Sequence, residues 1–307
     1  MGQKPPLHSD GEELDAFLGE LEATEEVTKI AGWDSGFTNL NSALNGILPG
    51  LYLLIGPTSC GKTAFAKQLC DQVAMYNSVP AIFFTFTEQK KDLRIRTLAR
   101  LSGLENREIR RGRSFVRHWY GVPKGADADE LPPSWEKLLS EADEARGWLN
   151  FLYTIECQEK TNLREMEADI LRIKEIKESD QVMVVIDDSQ RLGPRDLPIN
   201  ARFPLVIEQL QELAMTLHVA MLATWTDLGR EDSPNRPTPQ EWGERVASAD
   251  VVFVLENDME RTKTLTGPSR AITLHIVKNR RGEKATLPFD FHPSFSKFEE
   301  VTLDLAP

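Results

Sequence analysis

The sequence predicts an α/β domain whose central, mostly parallel sheet is covered by helices on both faces. From Ser35 onward, runs with strand character alternate with runs of helical periodicity, the pattern of parallel strands joined by crossover helices. Three of those runs, residues 51–55, 182–186 and 219–224, are near-continuous apolar stretches, as strands buried on both faces require. A chain of 307 residues that is 40% hydrophobic buries one large core and at most a small appendage, so one dominant domain is expected.

Taken in order, residues 1–9 are polar and proline-bearing, a disordered lead-in. Leu14, Phe17, Leu18 and Leu21 then recur on one helical face, with Asp10 as N-cap and Glu13 in capping-box position. This short amphipathic linker helix must bury its stripe, either on its own core or on a neighbouring subunit, and both destinations stay open. The expected division is residues 1–34 for lead-in and linker and residues 35–307 for the main domain. Within the latter, strands are expected at 51–55, 81–86, 182–186, 219–224, 251–255 and 272–277. Helices are expected at 64–76, 91–101, 135–145, 163–176 and 205–217. The stretch 115–133, rich in Gly, Pro and Asp, reads as an irregular insertion.

Composition excludes several classes. No apolar run reaches the roughly 18 residues of a membrane span, and the opening Met1, Gly2, Gln3, Lys4, Pro5 and Pro6 lacks the charged-then-apolar order of a secretory signal. Pro6 also stands where a myristoylation signal wants Ser or Thr. Cys60, Cys70 and Cys157 have neither zinc-ligand spacing nor an even number, so a reducing, cytoplasmic setting is expected. A formal net charge of −12 counts against nucleic acid binding over the whole surface, so any such contact must be local.

The chemistry concentrates at Gly56, Pro57, Thr58, Ser59, Cys60, Gly61, Lys62 and Thr63, which match G-x-x-x-x-G-K-[ST] between an apolar strand and a helical segment. Glycines let main-chain N–H groups curl around an anion, and the helix start adds its positive dipole end. Lys62 is placed to reach the β and γ phosphates of ATP, and the Thr63 hydroxyl to bind Mg²⁺. A second acidic element must hold that metal through its water shell. The apolar run 182–186 ends in Asp187 and Asp188, a Walker B pattern in which Asp187 is the metal partner.

With these residues in place, the chain resembles the C-terminal ATPase domain of DnaB-type replicative helicases, from about Ser35 over nearly its whole remaining length. Ser35-Gly36-Phe37-Thr38-Asn39-Leu40-Asn41 and Gly46-Ile47-Leu48-Pro49-Gly50 look like the family's approach to the first strand. Arg96-Thr97-Leu98-Ala99-Arg100-Leu101-Ser102-Gly103 is similar to its helix after the second core strand. Asp187 and Gln190 fit an Asp-x-x-Gln Walker B segment, and Phe298 fits the closing strand. Lys278-Asn279-Arg280-Arg281-Gly282 is the strongest late match.

The resemblance implies a RecA-like P-loop ATPase core with ATP and Mg²⁺ as cofactors, and it carries Gln190 and Arg230 into the nucleotide site. It also implies that Lys278 and Arg280 act on ATP bound by the next subunit, and hence a homo-oligomer, a hexameric ring. A guanidinium held in a dry interface stabilises charge spread over a transferring phosphoryl group. Apart from the resemblance, residues 278–284 read as a solvated basic turn.

Departures from the family pattern are informative. The family's catalytic glutamate closes the second core strand; here an ungapped comparison puts Thr87 there and Glu88 one residue later. A one-residue bulge would restore Glu88 as the catalytic carboxylate. Asp227 replaces a glutamine thought to sense the γ-phosphate, while Arg230 is retained.

In such helicases a loop before the strand beginning near Asp250 tracks single-stranded DNA. Here that loop runs Gln240-Glu241-Trp242-Gly243-Glu244-Arg245, with Glu241, Trp242, Gly243 and Arg245 as DNA-binding candidates. Trp242 either stacks on a base or packs on its own domain. A basic stretch including Lys90, Lys91, Arg94, Arg96, Arg100, Arg107, Arg110, Arg111, Arg113 and Arg117 is expected to face a neighbouring subunit or solvent. Residues 1–34 offer no counterpart to the helical domain with which the family braces its ring and recruits primase, which points either to a specialised relative, of a mobile element, phage or defence system, or to separate loader or accessory partners.

The expected function is ATP-driven movement on single-stranded DNA. The alternative is a nucleotide-switched assembly or regulatory ATPase that does not unwind DNA, towards which the acidic charge, Asp227 and Gln240 lean. A strand-exchange protein of the same fold, forming open filaments, is a third possibility.

Overall fold

The computed structural model describes residues 30–119, 132–227 and 237–301. The expected linker helix with Asp10, Leu14 and Leu21 lies outside the described residues. Nine strands form one sheet in the order β3-β2-β4-β5-β1-β6-β7-β8-β9. They are β1 (Gly50–Pro57), β2 (Ala81–Thr85), β3 (Leu152–Glu156), β4 (Met183–Asp187), β5 (Ala220–Asp227), β6 (Val251–Asn257), β7 (Arg270–Asn279), β8 (Ala285–His292) and β9 (Lys297–Glu300). The first six in spatial order, β3 through β6, run parallel, and β7, β8 and β9 continue the sheet antiparallel.

Alternation along β1 explains why the sheet needs cover on both sides. Tyr52 and Leu54 point into one apolar cluster, Leu51, Leu53 and Ile55 into another. The first cluster is closed by α1 (Thr38–Leu44) and α2 (Lys62–Asn77), where Phe65 stacks on Phe37 and meets Phe289 and Phe298 edge-on. The second is closed by α8 (Leu163–Lys177) and α9 (Ile199–Leu217). Between them in sequence come α3 (Lys90–Ser102), α4 (Asn106–Arg111), α5 (Arg113–Trp119), α6 (Pro133–Glu144) and α7 (Arg146–Leu149). Leu104, Val116 and Leu138 make a small third cluster at the side of this group.

All six expected strands and all five expected helices form, most of them longer by one to several residues at the ends. Two strands lie outside the six expected ones: β3 is a partly exposed edge strand, and β8 contains Pro288, which reads against a strand. β9, of four residues, is the closing strand to which the resemblance assigns Phe298. The stretch 115–133 is not wholly irregular: α5 runs into it from Arg113, and Pro133 opens α6, where a missing N–H costs nothing. Residues 120–131 lie outside the described residues.

Candidate functional site

The C-terminal ends of β1, β2, β4 and β5 meet at one edge of the sheet, where α/β folds bind ligands. β1 delivers Gly56 and Pro57 into a turn through Thr58, Ser59 and Cys60. Gly61 then caps α2 with φ +98°. A Cβ at Gly61 would lie 2.8 Å from the Phe298 Cζ and 3.1 Å from the Phe291 Cε1, so backbone angle and space both demand glycine. A Cβ at Gly56 would lie 2.8 Å from the Cys60 Sγ, which keeps the loop closed on itself. The 16-residue helix α2 starts from this loop and presents its positive end there.

Inside lies a cavity of about 410 Å³. Lys62, buried, folds back over the loop, donating to the carbonyl oxygens of Gly56 at 3.0 Å and Pro57 at 2.7 Å. The Thr63 hydroxyl donates to Asp187 Oδ2 at 2.9 Å, and Thr224 donates to Oδ1 at 2.7 Å. Burial raises the pKa of Asp187 most, hydrogen bonds from Thr224 and Thr63 lower it, and nearby Glu88 raises it again. Asp188 is pushed up to about 6 by burial and then by Asp187, and its Oδ1 is buried without a partner.

These residues fit a magnesium nucleotide. The hydroxyl of Thr63 and the carboxylate of Asp187 are adjacent oxygens, and a divalent cation would relieve a carboxylate whose charge burial disfavours. The loop amides and Lys62 would hold the phosphates.

Glu88 reaches the cavity by a route other than the expected one. β2 pairs with β4 in unbroken register to Thr85 opposite Asp187, so no bulge occurs. The chain bends through residues 86–88 instead. Thr85 Oγ1 pins that bend, accepting from the Glu88 amide and donating to its carbonyl, both at 3.0 Å. Glu88 and Thr87 therefore both line the cavity, Thr87 with its hydroxyl 3.4 Å from Asp187 Oδ2.

Two lining arginines escaped the sequence reading. Arg96 turns inward from α3 to Glu88 and Ser296, and Arg270 at the start of β7 donates to the Ser59 carbonyl at 3.2 Å. Arg100 is likewise engaged internally, with Asp71, so the basic stretch is not the uniform outward face expected of it. Gln190 is not among the cavity's lining residues; its amide donates to Asp188 Oδ2 at 2.8 Å and so props the second carboxylate. Asp227 ends β5 beside Pro57, buried. Arg230 lies outside the described residues.

Lys278 and Arg280 are at the opposite edge. Lys278 Nζ donates to the carbonyl oxygens of Val246 and Ala247, and Arg280 pairs with Asp250 at 3.2 Å, close to where β1 begins. Since Arg270 touches the phosphate loop and a strand rises ~3.3 Å per residue, Lys278 lies about 26 Å from it along the same strand.

The segment expected as a DNA-tracking loop is helical, α10 (Pro239–Arg245), begun by a Thr238–Glu241 capping box. Glu241 caps that helix. Trp242 packs edge-on against Phe203 at 5.6 Å, the second of its two readings. A Cβ at Gly243 would lie 2.9 Å from the Val277 carbonyl oxygen, so that glycine serves packing on β7. Arg245 remains exposed.

Known proteins share this pattern. Residues 32–300 match the model of the DnaB-like helicase C terminal domain. The replicative DNA helicase DnaB of Haemophilus influenzae is 24% identical over 305 residues, covering 96% of this chain and 60% of that protein. The Leifsonia xyli subsp. xyli DnaB is 25% identical over 307 residues, covering 94% and 61%. The chain thus spans about three fifths of the length of these relatives.

Among solved structures, one described as an ATPase domain superposes with a TM-score of 0.75 at 20% identity, over 97% of this chain and all of that one. A DnaB-like replicative helicase, described with its interactions with primase, gives 0.73 at 21% identity, over 94% and 68%. These two likenesses speak for the RecA-like ATPase fold. The family match spans nearly the whole described chain, from before the phosphate loop to the last strand, and the chain belongs to the DnaB-like helicase C-terminal domain family.

Proposed function

We propose that the chain is an ATP-hydrolysing motor that works as a hexameric ring of identical subunits and moves along single-stranded DNA. The observation that carries this reading is the separation of two half-sites. Lys62, Thr63, Glu88 and Asp187 share one cavity, while Lys278 and Arg280 sit at the far edge of the sheet, out of reach of it. A second copy that brings its Arg280 edge to this cavity completes a phosphoryl-transfer site.

In that site Lys62 would leave the Gly56 and Pro57 carbonyls for the outer phosphates, and Thr63 with Asp187 would hold a Mg²⁺ whose charge would offset that of the phosphates. Glu88 orients the attacking water, and the neighbour's Lys278 and Arg280 stabilise the transition state. Gln190 acts through Asp188, and Arg230 is assigned to the nucleotide site on the family resemblance alone. DNA contact falls to Arg245 and the α10 surface, with Trp242 and Gly243 holding that helix in place. A loader or accessory protein places the ring on DNA in the cytoplasm. Among the described residues no helix is long and apolar enough to cross a membrane.

The test is ATP turnover with and without single-stranded DNA, alongside the mass of the assembly and unwinding of a forked duplex. Turnover stimulated by DNA in a hexamer is expected. ATP-driven assembly with neither DNA binding nor stimulation would replace this reading with the nucleotide-switched regulator, which Asp227 and the net charge of −12 favour.

A further inference from the structure

A cavity of about 330 Å³ opens between α2, α3, α7 and β3, and among the described residues it shares no lining with the nucleotide cavity. Lys67 and Thr97, both buried, form its floor, and Arg94, exposed on α3, stands at its mouth beside Lys90. Leu98, Leu149 and Leu152 make its apolar walls. Three cations therefore face the space, and among the described lining residues there is no carboxylate.

Charge is out of balance beneath this floor. Lys67 and Arg100, both with buried side chains, share the single carboxylate of Asp71, so two cations less one anion leave a formal +1 inside the fold. A buried charge without a counter-charge is costly, and a monoanion in the cavity would offset it. Lys67 Nζ donates to Asp71 and, at 2.9 Å, to Thr97 Oγ1. An ammonium carries three N–H donors, and the third meets no acceptor among the described residues. Burial disfavours the charge on Lys67, and a second anion beside it would support that charge as Asp71 does.

The mouth has the same excess. Lys90 and Arg94 stand four residues apart on α3, a spacing at which like charges destabilise a helix. Glu156 accepts from the Lys90 main-chain amide at 2.6 Å, outside the lining, and both cationic side chains are without a partner among the described residues. The three leucines are half-buried, so that each turns apolar surface to the cavity. Apolar walls with a few fixed polar groups make a small-molecule site, for which about 300 Å³ is enough. A dianionic phosphate would overcompensate an interior of +1 and leave the leucines uncovered; one carboxylate on an aliphatic body answers both.

We infer that this cavity binds a small aliphatic carboxylate, its headgroup between Lys67 and Arg94 and its chain along Leu98, Leu149 and Leu152. Such a site stands whether or not the chain moves on DNA.

The test is titration calorimetry of sodium octanoate into the full chain, with octanamide as the uncharged match and inorganic phosphate as a headgroup without a chain. Saturable binding of octanoate is expected, with octanamide weaker by about tenfold or more, the loss of a hydrogen bond to a charged group. Phosphate is expected to give no binding heat. Arg94→Ala, at an exposed position, should fold normally and weaken octanoate by about tenfold, and Arg94→Lys should keep most of the affinity. Lys67→Met, which leaves Asp71 paired with Arg100, should abolish binding, with a thermal melt to show that the variant is folded. If Lys67→Met does not fold, Arg94→Ala decides alone. Octanoate and octanamide binding equally well, or octanoate binding Arg94→Ala as tightly as the unsubstituted protein, would overturn the anion site. Phosphate that displaces octanoate would assign the floor to a free anion and overturn the aliphatic ligand, and no binding of octanoate at all would overturn both.

Discussion

Arg96 grips Glu88 by two parallel hydrogen bonds, Nε to Oε2 at 2.8 Å and the terminal nitrogen to Oε1 at 2.5 Å. Its remaining terminal nitrogen donates to the Ser296 hydroxyl at 2.9 Å, which ties the carboxylate to the turn between β8 and β9. A bidentate guanidinium fixes direction as well as distance. The bend after β2 alone does not set where Glu88 points; Arg96 does, as a positioning residue.

Glu88→Ala should lower ATP turnover by about 10²–10⁴, the range for one general acid–base group, while nucleotide affinity changes little. Arg96→Gln should lower turnover by about tenfold or more, because a few tenths of an ångström matter at a near-attack geometry, and Arg96→Lys should rescue only part of it. Single-turnover kinetics with titration calorimetry separates the two quantities. Unchanged turnover in Glu88→Ala would remove Glu88 from the reaction.

Gly61→Ala should cost nucleotide binding and stability together. The left-handed backbone at φ +98° costs a side chain about 1–3 kcal/mol, and the new methyl meets two aromatic rings. Thermal melting with and without ATP would show a lower transition that nucleotide no longer raises. A variant melting like the parent and still stabilised by ATP would contradict the loop geometry.

Asp71 holds two buried cations at once, Lys67 from its own helix and Arg100 from α3, and also accepts from Thr97 at 2.7 Å. Burial pushes the pKa of Lys67 down, and Asp71 pulls it back up. Asp71→Ala leaves both cations uncompensated and should destabilise the fold by about 3–5 kcal/mol. Urea unfolding would measure it; a loss near that of a surface ion pair would mean that the cluster is solvated.

Local spacing carries the legible part of this protein. The phosphate loop, its strand and its helix are contiguous, and β1, β4 and β5 announce themselves by unbroken apolar runs, since both faces are covered. What was hidden depends on distant partners. Arg96 and Arg100 read as part of an outward basic stretch, because Ser296 and Asp71, which draw them in, belong to other elements. Trp242 admitted two readings until Phe203, in a separate helix, settled its packing. The helix that carries it did have a local signal: Thr238 with Glu241 three residues on and Pro239 between them mark a helix start. Arg270 shows no pattern of its own, and only the antiparallel return of β7 along β6 brings it to the phosphate loop.

The central claim, a nucleotide site shared between two copies, is tested most directly by mixing two inactive variants. Lys62→Ala lacks the phosphate lysine, and Arg280→Ala lacks the cation offered to a neighbour. Each alone should turn over little ATP, with binding lost only in the first. In a mixed assembly, an Arg280→Ala subunit keeps Lys62 and receives Arg280 from a Lys62→Ala neighbour, so turnover should return at those interfaces. A mixture that forms joint assemblies yet stays as inactive as its components, or an Arg280→Ala protein with full turnover, would contradict the shared site.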